Sequence, residues 1–253
     1  MELSQVFLKI KYFVAYYLLI IIMEIRTKGR AFLDKMIQFS DIVKQSEIIY
    51  FDFETTGLNP YHESIIDYAF LLEDDRDNQT YIESLVNPNK KFEKCITDIT
   101  GIHPDDLNHK DPIESHLDRI YRFIININTN QIFHKTIPQP YLVAHNCDGF
   151  DKVFLLRLFE NTKNTIHKNV PLWQFIDTLP LAKKLLPNLK SHSLKSLCLH
   201  YNIKPGNHRA LSDTVALKNV YHCLVKELAS QQNITESYFL NNPKKVIDYY
   251  SFN

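Results

Sequence analysis

The chain has 253 residues, 45% of them hydrophobic and 23% charged, which is room for one good-sized domain with extensions and ordinary for a globular protein. Its 29 basic residues balance its 29 acidic ones, so the composition carries no basic signature of nucleic-acid binding, and any such site must come from local patches. The four cysteines, Cys95, Cys147, Cys198 and Cys223, form no Cys-x-x-Cys pair, which argues against a zinc site and a disulfide framework and for a reducing, intracellular compartment.

In chain order, the first feature is a continuous apolar and aromatic run from Tyr12 to Met23, preceded by Lys9 and Lys11. It falls short of the roughly 20 residues that span a bilayer. It has the charged front and apolar middle of a signal peptide, but Met23-Glu24-Ile25-Arg26 offers no small-residue cleavage site. Three readings stay open: a membrane anchor through residues 12–23, an apolar helix packed on the body, or upstream sequence outside the working protein, with Met23 as an initiator. Spanning would bring Lys9 and Lys11 into the bilayer at about 2.5–3.5 kcal/mol per centred lysine, so it is disfavoured. A chain beginning at Met23 is expected to be soluble and fully active. Arg26 to Ser46 then shows a helix-like spacing through Phe32, Leu33, Met36, Ile37 and Val43.

Ile48 to Leu58 is the stretch on which the domain is organised. An apolar and aromatic run ending in Thr55-Thr56-Gly57 predicts a buried strand. Asp52 and Glu54 are two apart, so a strand points both to one face. At about 4 Å and an effective dielectric of roughly 20, their repulsion is on the order of 4 kcal/mol. A hard divalent cation between them would relieve it, because oxygen-only ligands suit magnesium or manganese better than zinc. Two solvated acids at a strand edge are the plainer alternative.

Ser64 to Glu73 and Thr80 to Val86 predict two further strands in meander order, with Asp74 to Asn78 as the turn between them. Cys95 to Leu107 reads as a broken helix and turn. Asp111-Pro112 opens a helix with Ile113, Leu117, Ile120 and Ile124 on one face. Asn126 to Pro140 has no periodicity. Tyr141 to Ala144 predicts a strand, and a helix follows from about Phe150. Phe175-Ile176-Asp177 is another short strand, with Asp177 as N-cap of a helix over Thr178 to Leu186. Leu194 to Tyr201 and Ala210 to Leu228 are further helices. The order predicts an α/β fold: a mixed central sheet, a three-stranded antiparallel meander plus parallel strands, flanked by helices.

Two segments besides the first strand carry potential chemistry. In Val143-Ala144-His145-Asn146-Cys147-Asp148-Gly149-Phe150-Asp151 a strand runs into a turn with an acid in the first helical turn. In His208-Arg209-Ala210-Leu211-Ser212-Asp213 a histidine lies ahead of a helix with an acid in its first turn. Taken singly, Asp151 and Asp213 are ordinary first-turn acids favoured by the helix dipole.

With Asp52 and Glu54 in this order, the three segments resemble the sequence blocks of the DEDDh 3′→5′ exonuclease superfamily, a ribonuclease H-like fold. Phe-Asp-Phe-Glu-Thr-Thr-Gly-Leu matches the first block, His-Asn-x-x-x-Phe-Asp the second and His-x-Ala-x-x-Asp the third. Phe175 to Leu186 and Leu194 to Cys198 are similar to the family's connecting elements. The His145-to-Asp151 interval is one residue longer than is usual in proofreading ε-type subunits and is similar to the three-prime repair exonucleases. The resemblance implies an exonuclease domain over residues 46–230, between an N-terminal extension (1–45) and a C-terminal tail (231–253).

The resemblance also implies two-metal hydrolysis of phosphodiester bonds at the 3′ end of single-stranded DNA, releasing nucleoside 5′-monophosphates. Asp52 would bridge two magnesium ions, manganese substituting. Glu54 and Asp213 would complete one ion and Asp151 would reach the other. His208 would be the general base, since an imidazole titrates near neutral pH. Thr55 would hold the 3′-terminal nucleotide and Leu58 would pack on its base, while Lys183, Lys184, Lys190, Lys195 and Arg209 could track phosphates. The alternatives are an exoribonuclease of the same superfamily and an inactive nucleic-acid-binding subunit. Partners would be single-stranded DNA or DNA 3′ ends, with RNA as the alternative, and a polymerase for proofreading. A sliding clamp is a further partner class, because Gln231 to Phe239 resembles in part a clamp-binding peptide with its aromatics one position late.

Overall fold

Alternation along the first strand decides which face of the sheet carries chemistry. The computed structural model describes residues 48–73, 79–125, 140–160 and 173–251, all within the compact unit Ser46–Asn253. In strand β1 (Ile48–Thr55), Ile49, Phe51 and Phe53 enter one buried cluster and Tyr50 enters a different one. By the two-residue period, Asp52 and Glu54 share the face of Tyr50.

β1 is the middle of five strands in the order β3-β2-β1-β4-β5. It runs antiparallel to β2 (Ile65–Glu73), with Phe51 opposite Phe70 and Glu54 opposite Asp67. On its other side it runs parallel to β4 (Tyr141–Ala144), with Ile49 opposite Leu142. β3 (Gln79–Leu85) extends the meander and β5 (Gln174–Asp177) extends the parallel half. This is the expected mixed sheet, with the predicted strand ends within a residue or two. The rings of Phe51 and Phe70 stack across the β1–β2 pair, 5.5 Å apart and 5° from parallel.

Helices cover both faces. α1 (Lys94–Thr100) and α2 (Pro104–Leu107) form the predicted broken segment, where Ile102 and Leu107 cover Ile66. The helix expected from Ile113 begins as a 3-10 turn (Ile113–His116) and continues as α3 (Leu117–Ile124). α3 and α4 (Asp151–Glu160) pack on the Phe51 face. α5 (Thr178–Leu185), α6 (Leu194–His200) and the long α7 (Ala210–Gln232) pack on the Tyr50 face.

The expected tail beyond residue 230 is built differently. α8 (Glu236–Asn241) and α9 (Pro243–Ser251) follow a left-handed turn at Asn233 and bury Phe239 and Val246 in the Tyr50-side core. The clamp-peptide resemblance therefore falls on folded helix, and Phe239, one of its two aromatics, is a core residue and not displayed. The N-terminal run Tyr12–Met23, the helix-like segment after it, the acidic turn at 74–78 and most of the irregular segment before Pro140 lie outside the described residues. No helix among the described residues is long and apolar enough to cross a membrane.

Candidate active site

Three separate segments bring their acids to one end of the sheet. The first is the end of β1. The pairing with β2 shifts register between Glu54 and Thr55, so a bulge falls just after the second acid before pairing resumes at Thr55 and Ile65. The turn that follows is locked from within. Thr55 Oγ1 donates to the Gly57 carbonyl at 2.6 Å, and the Thr56 hydroxyl donates to Glu63, which also pairs with Lys90 at 2.7 Å. Thr55 and Thr56 are buried, whereas Leu58 is 85% exposed beyond them. Tyr61 is exposed as well, with the Arg157 guanidinium 5.1 Å from its ring centre.

The second segment leaves β4 through Asn146, which takes a left-handed φ of 60°, and a 3-10 turn at Cys147–Gly149. It delivers Asp151 buried at the start of α4, where Oδ1 accepts the Phe53 backbone N–H at 3.2 Å. The turn hangs on Asp177. That carboxylate caps α5 through the Leu179 N–H at 2.9 Å, as predicted, and also accepts the Asp148 N–H at 3.1 Å. The Asp177 N–H in turn donates to the Tyr250 hydroxyl of α9 at 3.1 Å. His145 is tied to the Thr178 hydroxyl at 2.9 Å, and burial brings its pKa down to about 4.

The third segment is the loop into α7. Asp213 lies in the first turn, and its Oδ2 accepts the Arg209 N–H at 3.0 Å. Gly206 is pressed against this carboxylate: a Cβ there would stand 2.3 Å from Asp213 Oδ1 and 2.9 Å from its Cα. His208 is exposed, with a φ of 58°. Glu54, His208 and Asp213 each place a ligand atom within 4.8 Å of the other two. Two further residues of the site escape a reading by blocks. Asp67 on β2 receives the Arg209 side chain, and Gly206 makes room for Asp213. Asp67 carries a signal in sequence, as an acid in an otherwise apolar strand. Gly206 carries none without the fold.

The electrostatics join the segments. Asp52 holds its proton far above the usual carboxylate range, through burial first and then the charges of Asp151, Glu54, Asp213 and Asp67. Burial, with Asp213 and Asp67, pushes Glu54 up to about 8, although Arg209 opposes this. Burial likewise raises Asp151 and Asp213, against the Phe53 N–H in one case and His208 and the Arg209 N–H in the other. Four carboxylates that each resist ionisation through burial, three of them also through their neighbours' charges, form a site short of positive charge, and an all-oxygen set of that kind fits a hard divalent cation. Of the lysines and arginine named for phosphate tracking, Lys184 instead donates to the Tyr249 carbonyl at 2.8 Å and Arg209 pairs with Asp67. Lys190 and Lys195 are exposed, as is Lys183.

Comparison with known proteins gives the family to which this chain is similar. Residues 49–221 match the RNase_T exonuclease family. The chain is 32% identical over 217 residues to the chloroplastic/mitochondrial exonuclease DPD1 of Arabidopsis thaliana, covering 81% of this chain and 65% of that protein. It is 31% identical over 199 residues to the PolC-type DNA polymerase III of Oceanobacillus iheyensis, covering 78% of this chain but 13% of the polymerase. Among solved structures it is similar to E. coli Exonuclease I in complex with a dA16 oligonucleotide, with a TM-score of 0.58 and 20% identity over 72% of this chain and 41% of that one. That likeness is one of fold.

Proposed function

The chain belongs to the RNase_T exonuclease family, within the DEDDh superfamily, and from that premise we propose that it removes nucleotides from the 3′ end of single-stranded DNA, in the 3′→5′ direction, using two divalent cations. The observation that carries the reading is the convergence of Asp52, Glu54, Asp151 and Asp213 from three distant segments, with His208 beside two of them.

Asp52, Glu54, Asp151 and Asp213 would hold the cations. Magnesium, or manganese in its place, would supply charge stabilisation to the attacking and leaving oxygens. The protein's own part is positioning and proton transfer. Thr55, fixed by its bond to Gly57, and the exposed Leu58 receive the terminal nucleotide, the leucine against a base face, where apolar contact is tolerant of sequence. His208 accepts a proton from the attacking water. The water oxygen bonds to phosphorus as the bond to the 3′ oxygen of the preceding nucleotide breaks. A nucleoside 5′-monophosphate leaves, and the freed 3′ oxygen takes up a proton from solvent to become the new 3′ hydroxyl. Exposure of His208 lets the proton pass on to solvent.

The oligonucleotide bound by E. coli Exonuclease I supports DNA as substrate, and the PolC-type relatives support a role beside a DNA polymerase. A labelled single-stranded oligonucleotide, a mismatched duplex and an RNA of the same sequence, each incubated with magnesium, test the reading. Stepwise shortening from the 3′ end of the DNA, with mononucleotide released, is the expected result. No cleavage with either magnesium or manganese refutes it, and faster cleavage of the RNA reassigns the substrate.

A further inference from the structure

The loop that carries His208 is tied at more points than its sequence suggests. Asp67 stands opposite Glu54 in the sheet and is 1% exposed. Its Oδ2 accepts two hydrogen bonds, from Arg209 Nε at 2.9 Å and from the Ala210 N–H at 3.3 Å. Arg209 also gives its own N–H to Asp213. On the other side of the histidine, the Asn207 N–H donates to the Ser212 hydroxyl at 3.1 Å. His208 sits between these anchors in the left-handed region. The other described non-glycine residues with positive φ are all asparagines, the residue type that tolerates it. The region is uncommon for any residue with a Cβ, histidine included, and the anchors on both sides of His208 hold it there.

Fold stability alone does not account for the pair. A buried carboxylate in β2 sits among Ile65, Ile66 and Tyr68, where an apolar residue usually serves stability as well or better. The guanidinium it meets is partly exposed, which limits what the pair contributes to folding. What Asp67 does supply is a fixed point from a rigid central sheet, 142 residues away in sequence, for the residue next to His208.

We propose that Asp67 is a positioning residue for hydrolysis: through Arg209 it fixes where the His208 imidazole stands relative to Glu54 and Asp213. The proposal rests on the reading of His208 as the general base. Arg209 is suited to the link because its planar fork bonds directionally, which a lysine ammonium does not.

A double-mutant cycle on the full chain tests it, read by single-turnover and steady-state cleavage of a labelled single-stranded oligonucleotide with saturating magnesium. His208→Ala should lower kcat by about 10²–10⁴-fold. Asp67→Asn keeps the side-chain shape and should lower kcat by about 10²-fold or less with KM nearly unchanged, the effect of a misplaced group. In the His208→Ala background Asp67→Asn should cost nothing more, because a positioner has nothing left to position. Losses that add in the double variant, or a raised KM at constant kcat, overturn the positioning role while leaving His208 as the base. Normal cleavage by His208→Ala overturns the general-base reading, and the proposal with it. Where Asp67→Asn does not fold, Arg209→Gln, which alters the more exposed partner, gives the same cycle with the same outcomes.

Discussion

Burial and neighbouring acids raise the proton affinity of the site, and this has consequences for single substitutions. Asp52→Ala and Asp213→Ala should abolish cleavage and weaken magnesium binding measured by calorimetry, while the metal-free protein keeps its stability or gains some, since a buried acid that its surroundings disfavour is gone. Near-normal turnover by either variant contradicts the ligand assignment. Gly206→Ala puts a methyl group into Asp213, and nearby backbone leaves it nowhere to go. Loss of activity by about tenfold or more, with a weaker metal affinity than wild type, is the expected outcome. A fully active Gly206→Ala enzyme would show that the loop into the long helix is soft.

The same acids set a dependence on pH. Glu54 has a folded pKa of about 8 against an ordinary value of 4.5, so between those values the folded state binds more protons than the unfolded one. Stability of the metal-free protein therefore falls as pH rises through that window, and Asp52, Asp151 and Asp213 act in the same direction. His145, with its lowered pKa, acts in the opposite direction, but only below its ordinary value of 6.5. Thermal melts in a chelator should thus show Tm dropping from about pH 6.5 to pH 8, and magnesium at the upper end should recover it by binding the folded state. A flat profile in chelator would mean that the acids are solvated.

Among the elements, those with strong local patterns are legible in the residues themselves. β1, β2 and β3 follow from apolar runs closed by turn residues, and the helix after Asp177 from its cap. The elements that local pattern misses are decided at a distance. The start of the third helix is a 3-10 turn, although its apolar spacing fits an α-helix. The last two helices read as a tail because neither is longer than nine residues and their apolar positions are sparse. They are held by burying Phe239 and Val246 against α7 and its neighbours, with Tyr249 and Tyr250 tied by hydrogen bonds to α5 and its cap. Val246→Ala should lower stability by about 1–3 kcal/mol in urea or thermal melts, with kcat unchanged well below the transition. A Tm equal to that of wild type would mean that these helices add little to the fold.

At the level of the molecule, the acids and the histidine are legible because the chemistry needs those residue types, whereas what their supports do is not. Asp177 is legible as a helix cap and Asp67 as an acid in an apolar strand, but their contacts to the site, like those of Gly206 and Tyr250, depend on where the fold puts them. Nothing in the residue types themselves marks an aspartate that receives Arg209 or a tyrosine whose hydroxyl holds the Asp177 backbone.

The hydrogen bond from Phe53 to Asp151 spans 98 residues, and the bond from Arg209 to Asp67 spans 142. No local piece of chain therefore contains a site, and one exists only once the β1–β2 pair has met the two distant segments that carry Asp151 and Asp213. Pairings of that separation are slow to form, and the expectation is that the acids, which repel one another without a cation, are gathered only after the folding barrier. Magnesium should accordingly leave the refolding rate almost unchanged and slow unfolding, the pattern of a contact absent from the transition state. Stopped-flow refolding and unfolding with and without the ion would show it, and an accelerated refolding limb would mean that the three segments meet early. On that order of events a nuclease has no active form on the way to the native state.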